Sequence, residues 1–230
     1  MIEKQILEYC KKQGSEEAGG IIKAGFFTPL ENVATNKKDF FEFELDDWKG
    51  VEAIVHSHPN SNQFLSPMDR KMQINTGIEW QIVHDGQVYK YPCIPLLRGR
   101  EFIYGQQDCA TLIEDAFMLM GIDLGRGHRG DMQQDADEGK ILKRLQEVGF
   151  AKVIDLLPGD VIVTSSQEEG NHLALFVDDA TVLHHAFNQL SRRIPYNYII
   201  RRRTHSIWRH KDFESEMIQA VLNDLKASNI

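Results

Sequence analysis

Cysteine is scarce in this sequence: Cys10, Cys93 and Cys109 are all there are in 230 residues. An odd, sparse set cannot form a disulfide framework, so the fold must rest on its own core, and one of the three is a candidate reactive thiol. Nowhere is there an apolar run long enough to span a bilayer. The opening stretch, MIEKQILEYCKKQ, lacks the basic start and continuous apolar centre of a secretion signal, which makes a reducing cytoplasm the expected place of synthesis. Positive charge is also in short supply. A net charge of −8 argues against a general nucleic-acid binder, and Arg192–Arg193 and Arg201–Arg203 are read first as solvated strand faces and second as a patch for an anionic polymer. Internal repeats and low-complexity tracts are absent too. What remains is ordinary for a globular protein with a real core, at 42% hydrophobic and 26% charged residues, and long enough for one large domain or two modest ones.

Two halves read differently, each mixing helices and strands, so the expected class is α+β. The first has an amphipathic helix over 2–13, a glycine-rich turn (GSEEAGG), and strand-like runs at IIKAGFF, FFEFEL and VEAIVH. A helix is predicted from Ser66, an N-cap serine followed by proline and, three residues on, by Asp69. Asp85-Gly86 then joins WQIV to VYKYP as a hairpin. Residues 96–101 read as a linker. The second half opens with a helix from Asp108–Cys109 to Gly121, its apolar positions at Leu112, Ile113, Ala116, Phe117 and Met120. A polar stretch (GRGHRGDMQQDADEGK) and a second helix near 139–147 follow. Strands are expected at GDVIVTS, HLALFVDD, TVLHHAF and THSIWRH, with a final amphipathic helix over 212–228. The expected boundaries are 1–95, a linker 96–101, 102–210, and a tail 211–230.

Near the end of one strand-like run stands IVHSHPNSNQFLSPMDR. His56 and His58 are two residues apart, so both side chains project from one face of the strand and can reach one ion, zinc or a similar borderline metal. Asp69, on the first turn of the next helix, can supply a third ligand and leave a fourth position for water, the pattern of a catalytic rather than a structural zinc. Such an ion brings the pKa of its water toward about 7, and a nearby carboxylate can take the proton. Taken singly, each residue also has a structural explanation: Ser66 and Asp69 as a helix cap, the histidines as strand surface. The segment HSHPNSNQFLSPMD, with His-x-His, seven residues, Ser, two residues and Asp, resembles the JAMM (MPN+) metallopeptidases. That family also carries an earlier glutamate followed closely by glycine and an aliphatic pair, matched by Glu17 in EAGGII, with Glu16 one residue out of register. The resemblance, over roughly residues 1–95, implies that His56, His58 and Asp69 bind Zn2+. It also implies that Glu17 handles the water proton and Ser66 helps stabilise a tetrahedral oxyanion. Relatives cut peptide or isopeptide bonds, and the sequence does not name the substrate.

Cys109 stands at the start of a predicted helix, where free N–H groups and the dipole favour thiolate. A nucleophilic cysteine also needs a base. His172 leads one downstream strand, and His184 and His185 sit on the next, an order that suits a Cys–His–His relay. The plainer reading makes Cys109 a small buried residue and the histidines hydrogen-bonded core. The segments YGQQDCATLIEDAF, PGDVIV and HLALFVDDATVLHHA resemble the NlpC-type cysteine peptidases, which have a circularly permuted papain-like fold. Over about residues 100–210 the resemblance implies Cys109 as nucleophile, His172 as base and His184, twelve positions on, as the orienting residue; His185 ranks lower. Thr111, and Leu173 and Ala174, depart mildly from the family's usual residues and bear on substrate shape more than on chemistry. NlpC-type enzymes cut stem peptides of bacterial peptidoglycan, commonly the bond after γ-D-glutamate.

The two domains in this order resemble a family of tail tip proteins of lambda-like tailed phages. That implies a bifunctional hydrolase acting in cell-wall penetration or tail assembly, with peptidoglycan and phage tail tip proteins as partners. Its expected places are the host cytoplasm during assembly and the virion tail tip. The competing expectation is a structural tail component with vestigial sites. A deubiquitinase-like role in a eukaryotic cell fits the second half poorly.

Overall fold

A computed structural model describes residues 2–127, 138–165, 170–178 and 180–229. The chain divides into two compact units, Met1–Ile94 and Pro95–Ile230. Most of the polar stretch before the second helix of the later half, and Asp179 at the end of HLALFVDD, lie outside the described residues.

Unit 1 begins with α1 (Ile2–Gln13), continues through β1 (Gly19–Lys23), β2 (Phe26–Leu30), β3 (Val51–Ser57), α2 (Pro67–Thr76) and β4 (Glu79–His84), and ends with β5 (Gln87–Tyr91). The sheet order is β2-β1-β3-β4-β5, antiparallel except between β3 and β4. A parallel pair needs a crossover, and α2 provides it. Ile6 and Cys10 of α1 pack with Ile22, Ala53, Val55 and Val83 on one face of the sheet. Because side chains alternate along β3, His56 must point to the other face.

Two expected strands turn out otherwise. IIKAGFF is not one strand but the turn of a hairpin, since Ala24 and Gly25 both take positive φ (51° and 73°) between β1 and β2. FFEFEL forms no strand. The Asn32 amide holds this backbone instead, donating to Phe40 O and accepting from Glu42 N (2.8 and 3.2 Å), so these groups are taken before a ladder can form. The aromatic rings serve a different contact: Phe41 stacks on His56 with centroids 5.7 Å apart.

Unit 2 contains α3 (Cys109–Leu119), α4 (Glu138–Glu147), β6 (Phe150–Val153), β7 (Val161–Ser165), β8 (Gly170–Asp178) and β9 (Thr181–His184). After these come β10 (Arg192–Pro195), α5 (Tyr198–Arg203), β11 (Thr204–His210) and α6 (Ile218–Ala227), the last preceded by a 3-10 turn at Ser215–Met217. The sheet order is β10-β9-β8-β7-β11-β6, antiparallel throughout. Leu112, Ile113, Ala116 and Phe117 bury the apolar stripe of α3. The stretch 96–101 is integrated rather than strung out. Leu97 is buried and donates its N–H to Asp224 of α6, and Arg100 is buried with its guanidinium on Asp115 of α3. Arg192–Arg193 do lie on an exposed strand, but Arg201–Arg203 close the short helix α5, which the sequence reading had not separated from the strands.

Candidate functional site

Unit 1 gathers its polar residues where β3 ends. His58 continues the ladder by donating its backbone N–H to Val83 O (2.9 Å), which keeps its side chain on the same face as that of His56. The Nε2 atoms of the two rings are 3.0 Å apart. The loop to α2 then returns to them. Ser66 caps the helix in a closed capping box, with Asp69 N–H donating to Ser66 Oγ (3.1 Å) and Ser66 N–H donating to Asp69 Oδ2 (2.8 Å). The same carboxylate lies 3.4 Å from His56 Nε2 and 3.3 Å from His58 Nε2. Glu17 reaches the cluster from the segment before β1, since one of its oxygens and a nitrogen of each histidine all lie within 4.8 Å of one another. Glu16, by contrast, is exposed.

The close approach of β1 depends on Gly19, which pairs with His56. A Cβ there would lie 2.0 Å from Val55 O and 2.7 Å from His56 Cα, so only glycine lets Glu17 and His56 come this near. Asn32 fixes Glu17 from behind, donating to its carbonyl (2.8 Å), and His58 Nδ1 lies 2.8 Å from Asn62 O. The sequence reading missed both asparagines: one acts through a backbone carbonyl, the other from a segment without regular structure.

Burial dominates the electrostatics. It pushes the Glu17 carboxyl up to about 7, opposed by His58 and reinforced by Asp69 and Asp39. It also drives His56 down, against the pull of Asp69. On Asp69 the two histidines outweigh burial and hold the carboxyl well below the usual carboxylate range, and in return Asp69 leaves His58 raised despite its burial. The result is a mostly covered carboxylate between two imidazoles, with a second carboxyl nearby that exchanges its proton near neutrality. Such a set can hold a divalent cation.

In unit 2, Cys109 is the first residue of α3. Asp108 caps that helix, its Oδ1 accepting from the N–H groups of Ala110 and Thr111 (both 3.0 Å) and its Oδ2 from Gly105 N–H (2.7 Å). Thr111, a departure in the sequence reading, completes the box by accepting from Asp108 N–H through its hydroxyl (2.7 Å). The helix start that presents the thiol is thereby fixed from both sides. On the sheet, His184 pairs with Ala174, so His172, two residues back on β8, is its diagonal neighbour on the same face. His172 Nε2 lies 3.1 Å from His184 Nδ1. Cys109 and His172 line one cavity of about 720 Å³, together with Phe102, Tyr104, His185 and Phe187. The expected strand TVLHHAF stops at His184, so the chain beyond it is released from strand alternation and carries His185 to that cavity.

Burial pushes His172 down to about 4, helped by His184 and His185, and pushes His184 to about 4, helped by Arg192 and His185. Both rings are neutral at pH 7, the form that can accept a proton. An unfolded histidine titrates near about 6.5. A folded pKa below that means stability is full above pH 6.5 and is lost as pH falls toward 4, by up to roughly 1.4 kcal/mol per pH unit for each ring. Urea unfolding of unit 2 should therefore show a lower midpoint at pH 5 than at pH 7, and His184→Gln should flatten the difference. An equal midpoint at both values would contradict neutral burial.

Residues 99–209 match the NlpC/P60 family, so unit 2 carries an NlpC/P60 domain, as the resemblance over about residues 100–210 implied. Two curated relatives extend further. Tail tip assembly protein K of Escherichia phage lambda is 36% identical over 193 residues, covering 80% of this chain and 97% of that protein. Tail tip assembly protein K of Escherichia phage N15 is 31% identical over 196 residues, covering 80% of this chain and 79% of that protein. The chain belongs to the tail tip assembly protein K family. The likeness covers more of the chain than residues 95–230 amount to, so it extends into unit 1. No solved structure matches the chain.

Proposed function

We propose that this chain is a tail tip hydrolase whose NlpC/P60 domain cuts stem peptides of bacterial peptidoglycan during cell-wall penetration. The observation that carries the reading is the cavity shared by Cys109, at a helix start, and His172, engaged from behind by His184. With Nε2 of His172 held by His184, Nδ1 is the nitrogen that takes the thiol proton. The sulfur bonds to the scissile carbonyl carbon, and His172 returns the proton to the amine as the C–N bond breaks. Water, deprotonated by the same ring, then hydrolyses the thioester and regenerates the thiol.

For unit 1 the reading is a JAMM-type peptidase or isopeptidase site, with His56, His58 and Asp69 holding Zn2+. Ligands about 2.0–2.1 Å from a tetrahedral zinc stand about 3.3 Å apart; the two Nε2 atoms are 3.0 Å apart, and the Asp69 carboxylate sets Oδ1 3.4 Å from His56 Nε2 and Oδ2 3.3 Å from His58 Nε2. When bound, zinc would supply a water acidic enough to act near neutrality. Glu17, whose carboxyl exchanges its proton near pH 7, would hold that proton. Ser66 accepts from the α2 backbone and keeps its own O–H to donate toward an oxyanion.

The name of the relatives favours a second role, in tail tip assembly with other tail proteins as partners. This would place the chain in the host cytoplasm during assembly and then in the virion tail. No helix among the described residues is long and apolar enough to cross a membrane. Digestion of purified peptidoglycan, with the released peptides identified by mass, tests the enzymatic reading. Fragments ending in γ-D-glutamate are expected; an intact wall would leave the assembly role alone.

A further inference from the structure

Between Thr181 and Lys211 the chain has no aspartate or glutamate, although acidic residues outnumber Lys and Arg, 34 to 26, over its whole length. The cations of this stretch fall into two groups. Arg193, Arg209 and Lys211 are ion-paired, with Asp178, Asp160 and Asp212 in turn. Arg192, Arg201, Arg202 and Arg203 are exposed, and among the described residues none of the four has a carboxylate partner. Arg192 donates only to the neutral Gln189 amide, and Arg201 to Tyr196 O.

The fold sets these four cations beside the cysteine site. Ile194, Tyr196 and Ile200 pack on a cluster that includes Ala174, Phe176 and Val182. Ala174 and Phe176 lie two and four residues on from His172, and Val182 lies two before His184, so α5 rests on the sheet face that carries both histidines. At about 3.3 Å per residue, Phe176 is about 13 Å along β8 from His172. Arg192 pairs with His184 across β9 and β10 and so shares that face. Arg201 stacks over Tyr196 at 5.1 Å and Arg202 over Tyr198 at 5.7 Å. A stacked guanidinium keeps N–H edges for carboxylates, which it can hold two bonds at a time. Such carboxylates recur along the wall polymer, because each γ-linked D-glutamate leaves its α-carboxylate free. We infer that Arg192 and the arginines of α5 form a docking face for the anionic wall strand, holding carboxylates of stem peptides adjacent to the one cut at Cys109. The choice of occupant rests on the peptidase reading of unit 2.

The test starts from the full chain as Cys109→Ala, which cannot consume the wall, and follows its sedimentation with purified peptidoglycan sacculi. Adding Arg201→Gln, Arg202→Gln and Arg203→Gln together should weaken that binding about tenfold, the sum of three exposed charge contacts. Raising salt to about 0.5 M should weaken the parent in the same way. Lysine at the three positions should recover most of the loss, because the charge returns. In the active chain, the glutamine variant should digest dilute sacculi more slowly by a similar factor, with the rate of Cys109 alkylation and the melting temperature unmoved. Equal sedimentation of the parent and the glutamine variant overturns the inference. So does a glutamine variant that loses affinity for double-stranded DNA but keeps it for sacculi, which would make the polymer a nucleic acid. Arginine-dependent sedimentation, with no peptide released by the active chain, would uphold the docking face and sink the peptidase reading.

Discussion

His172→Ala should slow the release of stem peptides by about 10⁴-fold or more, because nucleophile and base act as one unit and either loss removes nearly all covalent catalysis. The fold should survive, since His172 sits on β8 at the cavity wall and its one side-chain contact of note is with His184. A second readout separates the base from a packing role. Without the neutral imidazole to take its proton, Cys109 should alkylate more slowly with iodoacetamide at pH 7. If His172→Ala retained activity, or lost it with no change in alkylation, another group would be the base.

Asp69→Ala should abolish tight zinc binding by unit 1. The purified wild type, reconstituted with zinc, should carry one equivalent, and removal by EDTA should lower its melting temperature. A ligand present at about 1,000 times its Kd adds about 4 kcal/mol of stability. In Asp69→Ala both zinc content and EDTA sensitivity should be lost, because the carboxylate that spans His56 and His58 is gone. A smaller and separate cost, about 1 kcal/mol, comes from breaking the α2 capping box. Asp69→Asn helps to divide the two effects, since its amide oxygen can still accept from Ser66 N–H while the charge is lost. A wild type that holds no zinc and melts alike with and without EDTA would remove the metal reading.

Much of this arrangement was legible in the residues because it rests on local rules. Ser66-Pro67 with Asp69 is a helix start whose chemistry lies within four residues, and α2 begins there. Asp108 before Cys109 works the same way. The spacing of His172 and His184 encodes a hairpin, and pairing of β8 with β9 makes them diagonal neighbours. What could not be read depends on contacts from distant chain. FFEFEL has strand-forming residues, but the Asn32 side chain claims its backbone and His56 claims one of its rings. Strand alternation would put His185 on the face opposite His184, but alternation ends with the strand, and β9 ends one residue before it. The short strands β6 and β10, at sheet edges, and the six-residue α5 are too brief to carry a periodic signal.

On the proposed function, Cys109 is the nucleophile of a wall peptidase. The most direct test is the release of stem peptides from one preparation of purified peptidoglycan, by the full chain and by Cys109→Ala under the same conditions. Release by the wild type, with none above background from a Cys109→Ala protein of unchanged melting temperature, is the predicted result. Equal release by the two proteins would contradict it, and would move the chemistry away from the start of α3.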